Sequence, residues 1–262
     1  MNILVLYSFF FVNLFSSDLT FNLQRYNEIT FTVIYDNYSS SEHCAGDWGF
    51  SCLIEGMEKT ILFDTGTKPE IFRKNLESLS INIEDIDLIV ISHNHGDHTG
   101  GLPVILDDEV ELPLYIPGSV EDNFVGRFEA FQGHTIPVNE PLEICEGVMS
   151  TGEMGSWIKE QSLLIDTPKG LVVLTGCSHQ GIENIVEKAT ELSDKQIYMV
   201  FGGFHLLNHS TGQVEDIIDI FQKNGVQKCG ATHCTGEKAT AMFRDAYGEN
   251  FVRIGAGKRI QF

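Results

Sequence analysis

The stretch Ser92-His93-Asn94-His95-Gly96-Asp97-His98-Thr99-Gly100-Gly101 brings three histidines and an aspartate into six positions, His93 to His98. It follows Ile86 to Ile91, an apolar run interrupted only by Asp87, which predicts a buried strand. Side chains two residues apart leave a strand on one side, so His93 and His95 are expected to aim the same way. The glycines beyond them are expected to turn the chain sharply and carry Asp97 and His98 to the same place. Imidazole and carboxylate donors grouped in this way suit one or two transition-metal ions, with zinc, iron and manganese all compatible. The competing reading is a polar loop with incidental histidines. The strand before, the glycine turn after and the histidines further downstream count against it.

On the N-terminal side, Phe31 to Tyr35 reads as a strand from its β-branched and aromatic residues. Phe50 to Ile54 and Thr60 to Phe63 read as a hairpin about Glu55-Gly56-Met57-Glu58, ended by Asp64-Thr65-Gly66. Ile71 to Leu79 reads as a helix. Beyond the histidine run, Leu112 to Ile116 is a short strand closed by Pro117-Gly118. Glu121 to Glu146 has poor periodicity, with a candidate helix over Asp122 to Phe131. It is expected to be a loop or insertion that shapes substrate access.

The second half repeats this grammar. Ser162 to Ile165 and Leu171 to Leu174 pair across Thr167-Pro168-Lys169-Gly170, a hairpin signal. Ile182, Ile185, Val186 and Ala189 mark one face of an amphipathic helix. Gln196 to Phe201 is a strand. Val214, Ile217, Ile218 and Phe221 mark a helix stopped at Gly225. After a strand over Gln227 to Ala231, a third helix carries Ala239, Met242, Phe243 and Ala246 and stops at Gly248. Phe251 to Ile254 and Arg259 to Phe262 close the chain. Two halves of this kind predict an α/β protein of four layers, αββα, with two mixed sheets face to face and helices outside.

The chain has 262 residues, of which 42% are hydrophobic, enough for a sizeable core. No low-complexity linker divides it, so residues 28–262 are read as one domain. With 37 acidic against 17 basic residues the formal charge is −20, which repels phosphate backbones at long range and argues against a nucleic-acid partner. Simple solubility is the plainer reading of that charge. The 6 cysteines form no C-x-x-C pair and read as free thiols of a reducing compartment. Residues 1–27 are set apart as an apolar segment. Its run Ile3 to Phe15 is too short to span a bilayer and has the length of a secretory signal, but no Lys or Arg precedes it. A start-codon artefact and an added edge element are the other readings. A cytoplasmic location is therefore expected, with export as the alternative and no membrane span.

At four places a strand runs into a polar, glycine-rich turn: Asp64-Thr65-Gly66, His93 to His98, Gly176 to His179 and Thr232 to Gly236. Sites in α/β proteins gather where strands end, and three of these turns carry histidine. The set resembles the metallo-β-lactamase-fold superfamily, whose signature is H-x-H-x-D-H after a strand. The likeness runs from Phe31 to the C-terminus in element order. Trp48-Gly49-Phe50-Ser51, Phe63-Asp64-Thr65-Gly66, Thr151-Gly152-Glu153, Gly176-Cys177-Ser178-His179-Gln180-Gly181-Ile182, Gly202-Gly203-Phe204-His205-Leu206 and Thr232-His233-Cys234-Thr235-Gly236 resemble one branch in particular. That branch contains dihydropterin–ribofuranosylaminobenzene 5'-phosphate synthases and many metal-dependent hydrolases.

The resemblance implies that His93 and His95 bind a first divalent ion and that Asp97, His98 and His233 bind a second. The superfamily pattern also has a histidine on a middle loop and a bridging aspartate at a strand end. This chain has neither: the middle loop offers Glu153, and the strand end offers Cys177 with His179 two residues on. His179 is assigned as the missing imidazole, with capping of the following helix as its alternative. Cys177 is either a metal thiolate or a small buried residue. Asp64 either orients a ligand histidine or serves the turn. Glu153 and His205 are candidate substrate or supporting groups, and His43, His134 and His209 are read as surface residues.

A pair of such ions, zinc first with iron or manganese compatible, makes hydroxide available from bound water near neutral pH. The expected activity is metal-dependent hydrolysis of a small, phosphorylated or ester-bearing substrate, with Asp97 as ligand and proton acceptor. The N-terminus of the Ile182 helix is a candidate phosphate contact. One alternative is a transferase joining a dihydropterin methyl diphosphate to a ribofuranosylaminobenzene phosphate. A different class is a non-catalytic or redox metal protein on the same fold. Flavodiiron-type relatives, however, carry glutamate where this chain has His95.

Overall fold

The computed structural model describes residues 28–107, 112–120 and 135–262. The apolar segment 1–27, the candidate helix over Asp122 to Phe131, and His134 lie outside the described residues.

Among the described residues, thirteen strands form two sheets. The first sheet contains β1 (Thr30–Tyr35), β2 (Ser51–Glu55), β3 (Ile61–Phe63), β4 (Leu88–Val90), β5 (Leu114–Pro117), β6 (Thr135–Val138) and β13 (Arg259–Gln261). Its order is β13-β1-β2-β3-β4-β5-β6. The second contains β7 (Leu142–Cys145), β8 (Val148–Ser150), β9 (Leu163–Thr167), β10 (Gly170–Thr175), β11 (Ile197–Gly203) and β12 (Lys228–Thr232), in the order β12-β11-β10-β9-β8-β7.

The alternation of side chains along each strand builds three apolar layers. Phe31 and Val33 of β1, Ile61 and Phe63 of β3, and Leu88 and Val90 of β4 meet Leu163, Val172, Leu174, Met199 and Phe201 of the second sheet. Their neighbours Ile34, Leu62 and Ile89 face the other way, onto Phe72 and Leu76 of the helix Pro69–Ser78 and onto Leu102 and Ile105. In the second sheet Leu171, Val173 and Val200 pack outward on the helices Ile182–Leu192, Thr211–Lys223 and Glu237–Tyr247. Both faces of each sheet are thus covered, which explains the near-continuous apolar runs of the central strands. The architecture is the αββα arrangement expected from the sequence.

Four local expectations are corrected. The region 121–146 is not all loop: β6 and β7 lie in it, and β7 pairs with β8 across Glu146-Gly147. Both are edge strands with mixed exposure, so they lack the apolar rhythm of a core strand. Phe251 to Ile254 contributes only a single bridge, Phe251 to Cys229. In the last helix Tyr247, not Ala246, completes the buried face, stacked on Phe243 at 6.4 Å.

The fourth correction concerns the motif glycines. None of Gly96, Gly100 and Gly101 has positive φ. The chain turns instead through a single helical turn, Gly96–Thr99. Glycine is required for close approach: a Cβ on Gly100 would collide with the Thr67 carbonyl oxygen, and one on Gly101 with that of Thr65. Gly100→Ala is therefore expected to destabilise the fold by at least about 2 kcal/mol in chemical denaturation. Gly212→Ala, at a helical position with open space around it, is the control and is expected to be neutral or mildly stabilising. Equal midpoints for the two variants would show that the Gly100 contact does not matter.

Candidate metal centre

The pairs β3–β4, β10–β11 and β11–β12 are all parallel. Parallel strands end together, so the turns that follow them share one edge of each sheet. Asp64 follows β3, Ser92 to His98 follow β4, Cys177 to His179 follow β10, His205 follows β11, and His233 follows β12. Four of these turns hold a non-glycine residue in the left-handed region: Asp64 (φ 55°), Ser178 (φ 65°), His205 (φ 53°) and His233 (φ 50°). Among the described residues only Ser80 shares that conformation elsewhere. Such backbone costs about 1–3 kcal/mol per residue and persists where the surroundings dictate it.

The turns bring their donor atoms into two adjoining groups. His93, His95 and His179 form one, and Asp97, His98, Cys177 and His233 the other; within each, the donor atoms lie within 4.8 Å of one another. The groups touch, with the His93 and His98 rings 4.3 Å apart between centroids. His93 Nε2 is 3.0 Å from His95 Nδ1, and His98 Nε2 is 3.2 Å from Cys177 Sγ. His233 Nε2 lies 3.4 Å from Asp97 Oδ2 yet is buried with no hydrogen bond, and His179 Nε2 is likewise buried and unbonded. Buried polar atoms are seldom left so. Two unbonded imidazole nitrogens, further imidazoles, one carboxylate and one thiol are a donor set that fits two divalent ions.

Electrostatics keep lone pairs available on most of these rings. Burial, reinforced by neighbouring histidines, holds His93 well below the usual imidazole range. Burial also lowers His95 and pushes His179 down to about 3. His98 is the exception. Burial is the largest single influence and opposes its charge, but the carboxylates of Asp64, Asp97 and Glu160, Asp64 foremost, together outweigh it and raise His98 to about 9. Asp64 Oδ2 is 2.7 Å from His98 Nδ1, and Asp64 also accepts the N–H and the hydroxyl of Ser92, each at 2.7 Å. A carboxylate on Nδ1 leaves Nε2 as the nitrogen facing the donors. Burial would raise Asp97, yet His233 and His98 hold it well below the usual carboxylate range. A cation held here would be drawn by the Asp97 carboxylate and would compete with a proton for His98 Nε2.

Several residues that organise the site were assigned no role from the sequence, although Trp48 stood in one of the runs that resemble the branch. Glu160 is fully buried, and its carboxylate accepts the backbone N–H groups of Cys177 (2.7 Å), Ser178 (2.8 Å) and His179 (2.9 Å). Next to it, the Gln161 side chain donates to Ile91 O (2.9 Å) and the Gln161 N–H to Ser92 O (2.9 Å). Trp48 donates its indole N–H to Asp97 Oδ2 (2.8 Å) and packs on His233, with ring centroids 5.0 Å apart. Asn37 Oδ1 lies 2.9 Å from His233 Nδ1. Asp36 takes the Thr232 hydroxyl below the same turn, and burial raises its carboxyl to about 6. Hydropathy and spacing cannot single out a lone Glu, Asn or Asp whose partner lies far along the chain.

Other candidates fall outside the two groups. Glu153 accepts the Ser119 N–H at 2.9 Å and sits 3.8 Å from Lys159 Nζ. His205 packs on His179 with centroids 4.2 Å apart and, with Cys177 and Cys234, forms a third close set of donors. His43 is exposed and His209 half-buried, both outside these sets.

The Metallo-beta-lactamase superfamily profile matches residues 49–126. The 7,8-dihydropterin-6-methyl-4-(beta-D-ribofuranosyl)-aminobenzene-5'-phosphate synthase of Methanocaldococcus jannaschii is 32% identical, over 87% of this chain and 94% of its own length. Among solved structures, Tm1679, described as a metal-dependent hydrolase of the beta-lactamase superfamily, aligns with a TM-score of 0.74 and 27% identity. That alignment covers 89% of this chain and 99% of Tm1679. A ribonuclease Z of Lactobacillus acidophilus is 34% identical over 36% of this chain and 33% of its own length, so the acidic charge does not by itself exclude a nucleic-acid substrate. The chain is an enzyme of the metallo-β-lactamase superfamily, in the branch that includes the M. jannaschii synthase.

Proposed function

We propose that the two donor groups hold a pair of divalent ions, with zinc as the first choice and iron or manganese compatible, and that the enzyme hydrolyses a small phosphoester or ester. The observation that carries this reading is the convergence of donors from both sheets, with unbonded nitrogens on His179 and His233. Bound, such ions polarise an ester or phosphoryl oxygen and acidify water toward neutrality. The chain's own residues do the rest. His93, His95 and His179 form one set of ligands, and Asp97, His98, Cys177 and His233 the other. Asp64 fixes the His98 tautomer, Trp48 steadies Asp97, and the Asp97 carboxylate is the group placed to take a proton. No helix among the described residues is long and apolar enough to cross a membrane. The six cysteines are all free, which supports a reducing, cytoplasmic setting.

A second reading is favoured by the M. jannaschii relative, whose name is that of a synthase. In it, the same ions would hold a diphosphate leaving group while an acceptor attacks. Incubating the metal-loaded enzyme with a dihydropterin methyl diphosphate and the ribofuranosylaminobenzene phosphate acceptor separates the two. Hydrolysis predicts diphosphate release without coupling, whereas transfer predicts a coupled product. Absence of both, and of any phosphodiesterase or esterase turnover, would contradict the enzyme assignment of this site.

Metal analysis tests the ligand sets. Wild type is expected to hold about two equivalents of metal, and His179→Ala and Cys177→Ala each to lose roughly one. Unchanged stoichiometry in both variants would remove the strand end after β10 from the site. Glu160→Gln places an amide against three N–H donors. It is expected to lower stability by about 1–3 kcal/mol and to weaken metal retention in a chelator competition. Wild-type retention in that variant would show that Glu160 does not organise the loop.

A further inference from the structure

Of the 6 cysteines, only Cys177 and Cys234 share a group of donors among the described residues. Cys177 follows β10 and Cys234 follows β12, and β11 lies between those strands in the sheet. Strands two places apart are separated by about 9–10 Å, so thiols on their turns meet only if both turns lean over the end of β11. The residue that closes β11 is Gly203. A Cβ there would lie 2.5 Å from Gly176 O and 2.7 Å from Cys234 Sγ, so a side chain would fill the space that the two turns share. Gly203 does not have positive φ, which leaves clearance as the reason for glycine.

The result is a close pair of thiols. Cys177 Sγ, Cys234 Sγ and a ring nitrogen of His205 lie within 4.8 Å of one another, and the two thiols are within hydrogen-bond reach. The Cys234 thiol also donates to Cys177 O at 3.5 Å. On its other side Cys177 Sγ is 3.2 Å from His98 Nε2. One sulfur thus stands inside the second ligand set and the other just outside it. The proposed function uses Cys177 and leaves Cys234 without a task. Both cysteines are buried, but His205 is exposed and lines a cavity of about 470 Å³ that also borders His179. That cavity gives a small neutral oxidant a route to the pair.

We propose that Cys177 and Cys234 form a modification site: a peroxide joins them in a disulfide, and that bond withdraws Cys177 from the second ligand set. Cys234, the sulfur not engaged as a ligand, reacts first. Its thiol and hydrogen peroxide give a sulfenic acid and water as the O–O bond breaks. The Cys177 thiolate then attacks the Cys234 sulfur, forming the S–S bond and releasing hydroxide. Two electrons pass from the sulfurs to the peroxide. Closure brings the sulfurs to about 2.05 Å, at most about 3 Å of movement from the arrangement seen here. Thiolate is the form of cysteine that ligates metal, so the second set falls to Asp97, His98 and His233. The inference rests on the assignment of Cys177 as a ligand under the proposed function, and adds a chemical input that empties one metal position.

The test treats the full metal-loaded chain with a small excess of hydrogen peroxide. Disulfides are mapped by mass spectrometry of unreduced peptides, and retained metal is counted after gel filtration. Wild type is expected to form the Cys177–Cys234 cross-link and to lose about one equivalent of metal. A thiol reductant followed by fresh zinc is expected to restore the full complement. Cys234→Ser and Cys234→Ala are expected to keep their metal under the same treatment, because Cys177 then has no partner. The peptide map is made on wild type, so it stands whether or not the variants fold. Absence of the cross-link, or equal metal loss in wild type and both variants, overturns the proposal. A cross-link with the metal count unchanged overturns the coupling to metal and takes Cys177 out of the ligand set. An untreated chain that binds no metal, yet still forms the cross-link with peroxide, counts against the two-ion reading alone and upholds the thiol pair.

Discussion

One buried carboxylate fixes the geometry on which the centre depends. Glu160 lies in the second sheet's half of the molecule, completely removed from water, and its oxygens are occupied by three consecutive N–H groups of the Cys177–His179 turn. Burial pushes its carboxyl above the usual range, and the three hydrogen bonds resist that push. The next residue, Gln161, ties to Ile91 O and Ser92 O, the entry to the first sheet's histidine run. Two adjacent side chains thus clamp loops from opposite sheets. Without such a clamp, donors from separate loops would pay conformational entropy for every ligand they align.

The same logic governs the backbone of the site. Asp64, Ser178, His205 and His233 all sit at positive φ, where a side chain is disfavoured. Three of the four are held by long-range bonds: Asp64 by Ser92 and His98, Ser178 by the Gly203 carbonyl that its hydroxyl reaches at 2.7 Å, and His233 by Asn37. Strain and clamp together pre-set the imidazoles. Charge separates surface from centre: the chain carries −20 overall, while the two donor groups gather imidazoles around a single carboxylate, Asp97. An anionic substrate would be repelled at a distance and attracted only by cations held in the pocket.

Much of this was legible in the sequence, for identifiable reasons. Strands buried on both faces are apolar throughout, so β1, β4, β10 and β11 announced themselves, and the helical stripes of Ile182 to Ala189 and Val214 to Phe221 gave the outer layer. Ligand candidates were visible because metal chemistry demands rare residue types in tight groups. Edge strands β6 and β7 stayed hidden because half-exposed strands carry no clear period. Glu160, Gln161, Asn37 and Asp36 stayed hidden because their partners lie from 17 to 196 residues away and no local pattern encodes that separation. The motif glycines were visible, but their reason was not: clearance against Thr65 and Thr67 exists only in three dimensions.

The most direct test of the central claim is X-ray absorption at the metal edge of the zinc-loaded protein. The two-ion centre predicts mostly nitrogen and oxygen scatterers at about 2.0–2.1 Å, a minority sulfur contribution near about 2.3 Å from Cys177, and a metal–metal vector of about 3.5–4 Å. A spectrum from one isolated ion, with neither sulfur nor a second metal in range, would contradict the account.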